Sequence, residues 1–335
     1  MIRSLLVTVI LALASIASAV EKEAPRPNIL WLVIDDMGAD FSCYGEKVVE
    51  TPHIDRLARE GTRFTRAFLT APVCSTARSS MITGMYQTTI GAHNHLSGRG
   101  KRRIVLPGEV VPVPVLFRKA GYVCSNENYP TRGGKPGKAD YNFDWDKAMY
   151  AGSGFPKSRE DKPFFAQLQL HGGKYRGGLL ESKWVREVAP EVLGILTDPE
   201  KVVLPPYYPR DPVILKDWAN YLDTVRYTDR EVGEIIATLE KEGILDKTII
   251  ILFGDNGISH ARGKQFLYDE GIHTPLIIRG PGIAAGKVRD DLVEHIDLAA
   301  TSLALAGVGV PEWMQGDDLL AAGYRPKGAV FAARD

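Results

Sequence analysis

Short apolar runs alternate along the chain with segments in which apolar residues recur at helical spacing. Four of these runs have the length of a buried strand: 28–34, 164–170, 248–253 and 275–278. Runs that are apolar at consecutive positions are typical of strands covered on both faces. Helical spacing predicts helices at 217–242 and 297–306, each followed directly by a glycine. The alternation predicts an α/β fold with a mostly parallel central sheet flanked by helices.

The first residues of the chain have the pattern of an export signal. Arg3 supplies a positive charge, an apolar stretch follows, and Ala17-Ser18-Ala19 has the small-residue spacing of a cleavage site. We therefore expect residues 1–19 to be a signal peptide, and the mature protein to be periplasmic or secreted without a membrane span. An uncleaved anchor is the alternative, although the uncharged stretch at 4–20 is short for a bilayer span.

The composition is that of a globular protein and argues against a nucleic-acid partner. Of 335 residues, 41 are Lys or Arg and 41 are Asp or Glu, so the formal net charge is zero. Proteins that bind nucleic acid through its phosphates are normally basic. The chain has 3 cysteines, too few for a disulfide scaffold at this length. Cys43 and Cys124 could pair in an oxidising compartment, which would leave Cys74 alone.

Polar residues gather where the predicted strands end. Asp35 and Asp36 follow the first strand, His171 the second, and Asp255 and Asn256 the third. Because ligands bind beyond the carboxyl ends of the strands in open α/β sheets, we expect these side chains to meet. Carboxylate and amide oxygens suit a hard cation such as Ca²⁺ or Mg²⁺. For any single aspartate, a helix cap or a turn is the alternative.

Cys74 begins a predicted short helix that ends at Gly84. A cysteine at a helix N-terminus faces unpaired N–H groups and the positive end of the helix dipole. Arg78 lies one turn further along the same face. The arrangement predicts an anion site with a candidate nucleophile at its centre. A buried, inert cysteine is the alternative.

Taken together, the motifs resemble those of the type I sulfatases of the alkaline phosphatase superfamily. The most specific is Cys74-Ser-Thr-Ala-Arg78, and others spread over nearly the whole mature chain: Arg26-Pro-Asn-Ile-Leu30, Asp35-Asp36, Thr51-Pro-His-Ile-Asp55, Gly254-Asp-Asn-Gly257 and Gly263-Lys264. In that family a formylglycine-generating enzyme oxidises the motif cysteine to formylglycine. The resemblance implies that Cys74 carries this modification and that its hydrate attacks a sulfate group on a sulfated carbohydrate.

The resemblance also implies a metal site. Asp35, Asp36, Asp255 and Asn256 would bind Ca²⁺ together with the modified Cys74. Mg²⁺ fits such a set less well, because it demands more regular coordination than Ca²⁺ does.

Three further residues receive roles from the resemblance. Arg78 would hold the hydrated aldehyde and offset its charge. Lys264 would bind the sulfate group, and His171 would contact the sulfate or the leaving oxygen. For His171, a capping or turn histidine is the alternative. The pair Gly172-Gly173 resembles a phosphate-binding loop only in its glycines, and no function is predicted for it.

The chain departs from the family pattern at two positions. Thr76 stands where the modification motif usually has Pro or Ala. The family's Lys-x-His motif is absent at its usual distance after Gly121-Tyr122. Lys138, with Asp140 in the place of the histidine, is the candidate for its lysine.

We expect a catalytic α/β domain at 20–320. Because such sulfatases are usually longer, we expect 321–335 to begin a truncated C-terminal subdomain, with a strand at 329–335.

One alternative function is that of a phosphodiesterase or phosphonate hydrolase of the same superfamily, which Ser or Thr at the nucleophile position would favour. The other is a non-catalytic binder of sulfated glycans, suggested by Thr76 and the missing Lys-x-His motif.

Overall fold

The structure is a computed structural model that describes residues 26–101, 103–130, 136–150, 162–177 and 182–335. The predicted signal peptide at 1–19 lies outside the described residues. Within the described ranges, no helix combines the length and the apolar character needed to cross a membrane.

A seven-stranded sheet forms the centre of the molecule, and two further strands pair beside it. The nine strands of the described chain are β1 (Asn28–Ile34), β2 (Thr62–Phe64), β3 (Ala67–Phe68), β4 (Val123–Asn128), β5 (Phe164–Leu170), β6 (Thr248–Gly254), β7 (Leu276–Arg279), β8 (Lys287–Arg289) and β9 (Val293–Glu294). In the large sheet their order is β4-β5-β1-β6-β7-β2-β8. The four neighbouring strands β4, β5, β1 and β6 are mutually parallel. In contrast, β7 is antiparallel to both of its neighbours, β6 and β2. The predicted α/β fold with a mostly parallel sheet is confirmed.

Helices cover both faces of this sheet. The α-helices of the described chain are α1 (Pro52–Glu60), α2 (Cys74–Thr83), α3 (Val113–Lys119), α4 (Ala189–Leu193), α5 (Pro212–Lys241), α6 (Asp269–Ile272) and α7 (Asp297–Leu305). Short 3-10 turns lie at Ser42–Tyr44, Ser97–Arg99, Lys147–Met149, Gly172–Arg176, Pro199–Lys201 and Leu245–Lys247, and a π-helical turn at Trp184–Val188.

The longest helix begins earlier than its apolar spacing predicts. The pattern placed its start at Asp217, but α5 begins at Pro212. The side chain of Asp211 accepts a hydrogen bond from the Val213 N–H, and Pro212 occupies the first helical position. Both features are favourable at a helix N-terminus. Pro212, the last of the prolines before the predicted start, therefore belongs to the helix.

The consecutive apolar residues of β1 divide between two hydrophobic cores. Ile29, Trp31 and Val33 pack into the core on one face of the sheet. The alternating residues Leu30, Leu32 and Ile34 pack into the core on the other face. Side chains of a strand alternate between faces, so a strand buried on both sides must be apolar throughout.

The three cysteines are unpaired. Cys124 is buried in the core on the Trp31 side of the sheet, whereas Cys43 packs against the opposite core. The disulfide between these two residues, considered from the sequence, is therefore not formed.

The strand expected at 329–335 is also absent from the described chain. The segment runs without regular structure along the body of the domain, where the Phe331 and Ala333 N–H groups donate to the Glu294 carboxylate and the Thr70 carbonyl at 2.9 Å each. Bonds of this kind to single acceptors do not build a strand ladder.

We predict that Phe165→Ala destabilises the protein strongly. Phe165 is fully buried, stacked on Phe117 with ring centroids 4.6 Å apart and edge-on to Trp31 at 5.2 Å. Removing such a side chain leaves a cavity and costs about 3–5 kcal/mol. Chemical denaturation measures the free energy of unfolding. Phe331→Ala is the control, since that ring is 66% exposed and its loss should cost less than about 0.5 kcal/mol. Equal losses in the two variants would contradict this account of the core.

Candidate active site

Three parallel strands end at the same level and carry polar residues to one edge of the sheet. Ile34 at the end of β1 pairs with Leu170 of β5 and with Gly254 of β6. The next residues in the three strands are Asp35, His171 and Asp255. The register, and not only the strand direction, therefore brings the predicted strand-end residues together.

The carboxylates of this edge form one buried cluster with Cys74. Asp35, Asp36, Asp255 and Cys74 are each at most 4% exposed. One oxygen from each carboxylate and the Cys74 Sγ all lie within 4.8 Å of one another. Asp36 turns back into the cluster with a φ of 53°, in the left-handed region that Asp tolerates better than most residues.

Helix α2 supplies both the cysteine and an arginine that binds the carboxylates. Arg78 Nε lies 2.7 Å from Asp255 Oδ2, and its Nη2 lies 3.3 Å from Asp35 Oδ1. Its Nη1 donates to Gln169 Oε1 at 2.5 Å. The buried arginine is thus held by the acids that follow β1 and β6 and by Gln169 near the end of β5. It offsets the charges that the sheet edge would otherwise hold in a low-dielectric environment.

Lys264 lies closest to the cysteine. Its Nζ is 2.6 Å from Asp36 Oδ1 and 2.9 Å from the Cys74 Sγ. The backbone around it is tightly turned, because the Lys264 N–H donates to the Ile258 carbonyl at 2.7 Å and Gly263 approaches the same carbonyl too closely for a Cβ. This local turn carries the lysine from a loop beyond β6 into the cluster.

Lys138, the candidate for the family's missing lysine, also reaches the cluster. Its Nζ lies 2.7 Å from Asp35 Oδ1 and 3.4 Å from Asp255 Oδ2. The loop that carries it is bound to β4, since the Lys138 N–H donates to Asn128 Oδ1 at 3.1 Å. Asp140, two residues on, lies 3.6 Å from the same Nζ and adds a further acceptor.

A third lysine, not predicted from the sequence, completes the arrangement. Lys174 Nζ lies 2.9 Å from Asp35 Oδ1 and 3.9 Å from the Cys74 Sγ. A Cβ on Gly172 or Gly173 would overlap the carbonyl oxygen of Asp35 or Asp36. The two glycines therefore let the 3-10 turn Gly172–Arg176 lie directly against the aspartate pair. A Gly-Gly-Lys sequence just after a strand was the signal that could have predicted this lysine.

His171 lies at the edge of the cluster without a hydrogen bond to it in the described part of the chain. Its ring faces Tyr175 instead, with centroids 4.6 Å apart. Desolvation is the largest effect on His171 and lowers its pKa. The charges of Asp35 and Asp36 oppose this effect without reversing it, and the charge of Lys174 adds to it. The imidazole is therefore neutral at pH 7.

The charges and the burial around the cluster shift the pKa values of Asp35 and Cys74 in opposite directions. Burial raises the pKa of Asp35, but the charges of Arg78 and Lys138 outweigh it and hold that pKa well below its usual range. For Cys74, burial and then the charge of Asp255 raise the pKa to about 11. At neutral pH the thiol is protonated, which makes it a poor nucleophile.

The cations of the cluster outnumber its acids. Burial lowers the pKa of Lys264, but the negative groups around it reverse the effect and raise that pKa above the usual lysine value. With Arg78, Lys138 and Lys174, it faces three carboxylates. Asp140 is a fourth acid beside Lys138, but it is also paired with Arg99, so five cations face four acids and leave one positive charge in excess. Such a site attracts a small anion.

The donor set fits a hard divalent cation. Asn256 is fully buried and its Nδ2 donates to Asp36 Oδ1 at 2.9 Å. Its Oδ1 is buried without a hydrogen-bond partner among the described residues, and a buried acceptor of that kind calls for an explanation. Three carboxylates and this amide oxygen form the all-oxygen set that Ca²⁺ and Mg²⁺ prefer.

The chain belongs to the Sulfatase family, whose model matches residues 27–308. An ulvan-active sulfatase of Formosa agariphila is 32% identical over 344 residues, which cover 90% of this chain and 56% of the relative. The N-acetylgalactosamine-6-sulfatase of Canis lupus familiaris is 28% identical over 348 residues, covering 89% of this chain and 66% of the relative. The chain thus spans between about half and two-thirds of these curated relatives.

Solved structures agree with the fold. The phosphonate monoester hydrolase of Silicibacter pomeroyi superposes with a TM-score of 0.63 at 20% identity, covering 90% of this chain and 78% of that one. At this identity the likeness concerns the architecture alone. It agrees with the α/β architecture described above and does not distinguish sulfate from phosphonate substrates.

We predict that Gly173→Ala weakens the binding of inorganic sulfate about tenfold. The added Cβ would overlap the Asp36 carbonyl, so the 3-10 turn must move and withdraw Lys174 from the cluster. Loss of one charged hydrogen-bond donor accounts for that factor. Isothermal titration measures the affinity. Gly309→Ala is the matched control, because a Cβ there meets nothing within 4 Å. If both variants bind sulfate equally well, Lys174 does not contribute to the anion site.

Proposed function

We propose that this protein is a sulfuric ester hydrolase that removes sulfate from a sulfated carbohydrate through a formylglycine formed from Cys74. The observation that carries the proposal is the position of Cys74, at the start of α2 among three buried carboxylates and 2.9 Å from Lys264 Nζ. A protonated thiol suits neither the nucleophile nor the hard-cation ligand, whereas an oxygen at the same place suits both. A hydrated aldehyde at residue 74 supplies such an oxygen.

We infer that Asp35, Asp36, Asp255 and Asn256 would hold Ca²⁺ together with the modified Cys74. Bound there, the cation would supply a fixed divalent charge that stabilises negative charge on nearby oxygens. Arg78 holds Asp35 and Asp255 in place from the side of the helix. These contacts orient both carboxylates for this purpose.

In this proposal the lysines bind the sulfate group. Lys264 and Lys174 approach the Cys74 Sγ at 2.9 and 3.9 Å. Their ammonium groups would therefore flank a sulfate group under attack by the nucleophile at residue 74. Lys138 contacts the carboxylates of Asp35 and Asp255 from the side of β4. Positive groups fixed before the reaction stabilise the charge that develops on the sulfate oxygens. The neutral His171 at the edge would contact the leaving oxygen.

Maturation and location follow from the same proposal. Oxidation of Cys74 requires a formylglycine-generating enzyme as a partner, with Thr76 inside its recognition motif. The N-terminal pattern at 1–19 supports export to the periplasm or secretion. We assign the catalytic domain to residues 20–320, which include every strand and α-helix of the described chain.

A substrate panel tests the reaction. We expect kcat/KM for 4-nitrophenyl sulfate to exceed that for bis(4-nitrophenyl) phosphate and for a 4-nitrophenyl phosphonate by about tenfold or more. Cys74→Ala should lower the sulfatase rate by about a thousandfold, because only binding and charge stabilisation remain. Cys43→Ala, a free cysteine away from the cluster, is the matched control and should retain the rate.

The other outcomes of the panel distinguish the alternatives. Preferential cleavage of the phosphodiester or phosphonate would replace the proposal by a hydrolase of the same superfamily with that specificity. Tight binding of a sulfated oligosaccharide, with no sulfate released over long incubation, would identify a non-catalytic glycan binder instead.

We predict that Asp255→Asn weakens calcium binding at least about tenfold. Asp255 is fully buried within the proposed ligand set, and the substitution removes a charge while keeping the size of the side chain. It also leaves Arg78 without its shortest ion pair to an acid. Titration of the metal-free protein with Ca²⁺, followed calorimetrically, measures the affinity. Asp290→Asn, at an exposed position, is the control. Unchanged calcium affinity in Asp255→Asn would remove this residue from the metal site.

A further inference from the structure

The loop at residues 94–98 lies directly beside the first turn of α2 and leads into a basic segment. The Leu96 N–H donates to Ser75 Oγ at 2.9 Å, and the same hydroxyl contacts His95 Nδ1 at 2.8 Å. Asn142 Nδ2 donates to the Asn94 carbonyl at 2.9 Å, while Gly98 approaches residues 141 and 142 too closely to carry a Cβ. The loop is therefore attached next to Cys74 at one end and to the segment after Lys138 along its length.

Beyond this attachment the loop presents several cations. We define the basic loop by three of these cations, Arg99, Lys101 and Arg103, which stand at alternate positions of the chain. The side chains of Arg99 and Arg103 are 66% and 68% exposed, and Lys101 is exposed. The placement of Arg102 lies outside the described residues.

The basic loop is connected to the cation set of the active site through one acid. Arg99 Nη2 lies 2.5 Å from Asp140 Oδ1, and Lys138 Nζ lies 3.6 Å from Asp140 Oδ2. Lys138 in turn contacts Asp35 in the buried cluster. Positive groups thus extend from the site of proposed sulfate binding to the protein surface.

The cations of the loop remain available to an external anion. Arg99 is paired with Asp140 and Arg103 with Asp144, but both arginines are mostly exposed, and exposed ion pairs are weak because water screens them. A sulfate or carboxylate group of a ligand can take the place of the aspartate beside each arginine, or bind the arginine together with it, at small cost. Lys101 has no ion pair among the described residues.

We propose that the basic loop is a second anion subsite, which binds a sulfate or carboxylate group on a sugar unit next to the one that is desulfated. This inference rests on the proposed function, which places the first sulfate among Lys264, Lys174 and Lys138. A polymer with repeated anionic groups fits a line of cations that starts at the reacting group. The subsite makes the protein selective for polyanionic glycans over small sulfate esters.

The test compares polymer binding by two matched double variants. Lys101→Gln/Arg103→Gln removes two charges from the basic loop. Lys241→Gln/Lys247→Gln removes two exposed charges at the opposite edge of the sheet, just before β6 begins. Equilibrium binding to dextran sulfate, carboxymethyl dextran and neutral dextran is measured at several salt concentrations. Thermal melting confirms that both variants are folded.

We expect the loop variant to bind dextran sulfate about tenfold more weakly than wild type, with a shallower dependence of log Kd on log salt concentration. The control variant should bind like wild type, and neutral dextran should not bind. Weakening for dextran sulfate alone identifies sulfate as the anion, and equal weakening for carboxymethyl dextran shows that the subsite also accepts carboxylates. Equal affinities in the two variants, or binding of neutral dextran, would overturn the proposal.

Catalysis gives an independent readout. For the loop variant, the ratio of kcat/KM for a sulfated oligosaccharide to that for 4-nitrophenyl sulfate should fall about tenfold, through KM. Polymer binding is measured without turnover, so absence of sulfatase activity would count against the proposed function and not by itself against the subsite. An unchanged ratio together with unchanged polymer binding would reject the subsite alone.

Discussion

The structure depends on the contact between Arg78 and the acids at the ends of β1 and β6. Asp35 and Asp255 are buried, and each would destabilise the fold without a cation beside it. Arg78 lies at 3.3 and 2.7 Å from their oxygens and also binds Gln169 on β5. One side chain from α2 therefore joins three neighbouring strands at the edge where they end. This contact fixes the direction of α2 and hence the position of Cys74.

The same charge arrangement explains why the site is prepared for an anion. Three lysines arrive from separate loops, and each is directed by a local constraint in the backbone. Gly172 and Gly173 allow Lys174 to approach, the turn at Gly263 directs Lys264, and the loop bound to Asn128 carries Lys138. The excess of positive charge remains in a buried environment, where its effect on an incoming sulfate is stronger than in water. The basic loop would extend that field along a polymeric substrate.

Several of these features were predictable because they depend on short-range patterns. The continuous apolar run of β1 reported burial on both faces, and acids after successive strands indicated a common edge. The structure brings together Asp35, Asp36, Asp255, Asn256, Cys74 and Arg78, and also the lysines predicted at 138 and 264, while their chemical roles stay predictions. Lys174 was missed because its approach depends on Gly172 and Gly173 packing against the carbonyls of Asp35 and Asp36, which are distant in sequence. The separation of Cys43 from Cys124 across the sheet is likewise a long-range outcome.

The central claim is that residue 74 acts as an oxygen nucleophile among these charges and not as a thiol. Its most direct test is mass spectrometry of the peptide containing Cys74 to Arg78, from protein exported by a host that has a formylglycine-generating enzyme. The account predicts an aldehyde at residue 74, with specific activity proportional to the modified fraction. It also predicts that Thr76→Pro raises both quantities together. An unmodified thiol in fully active protein would contradict the account.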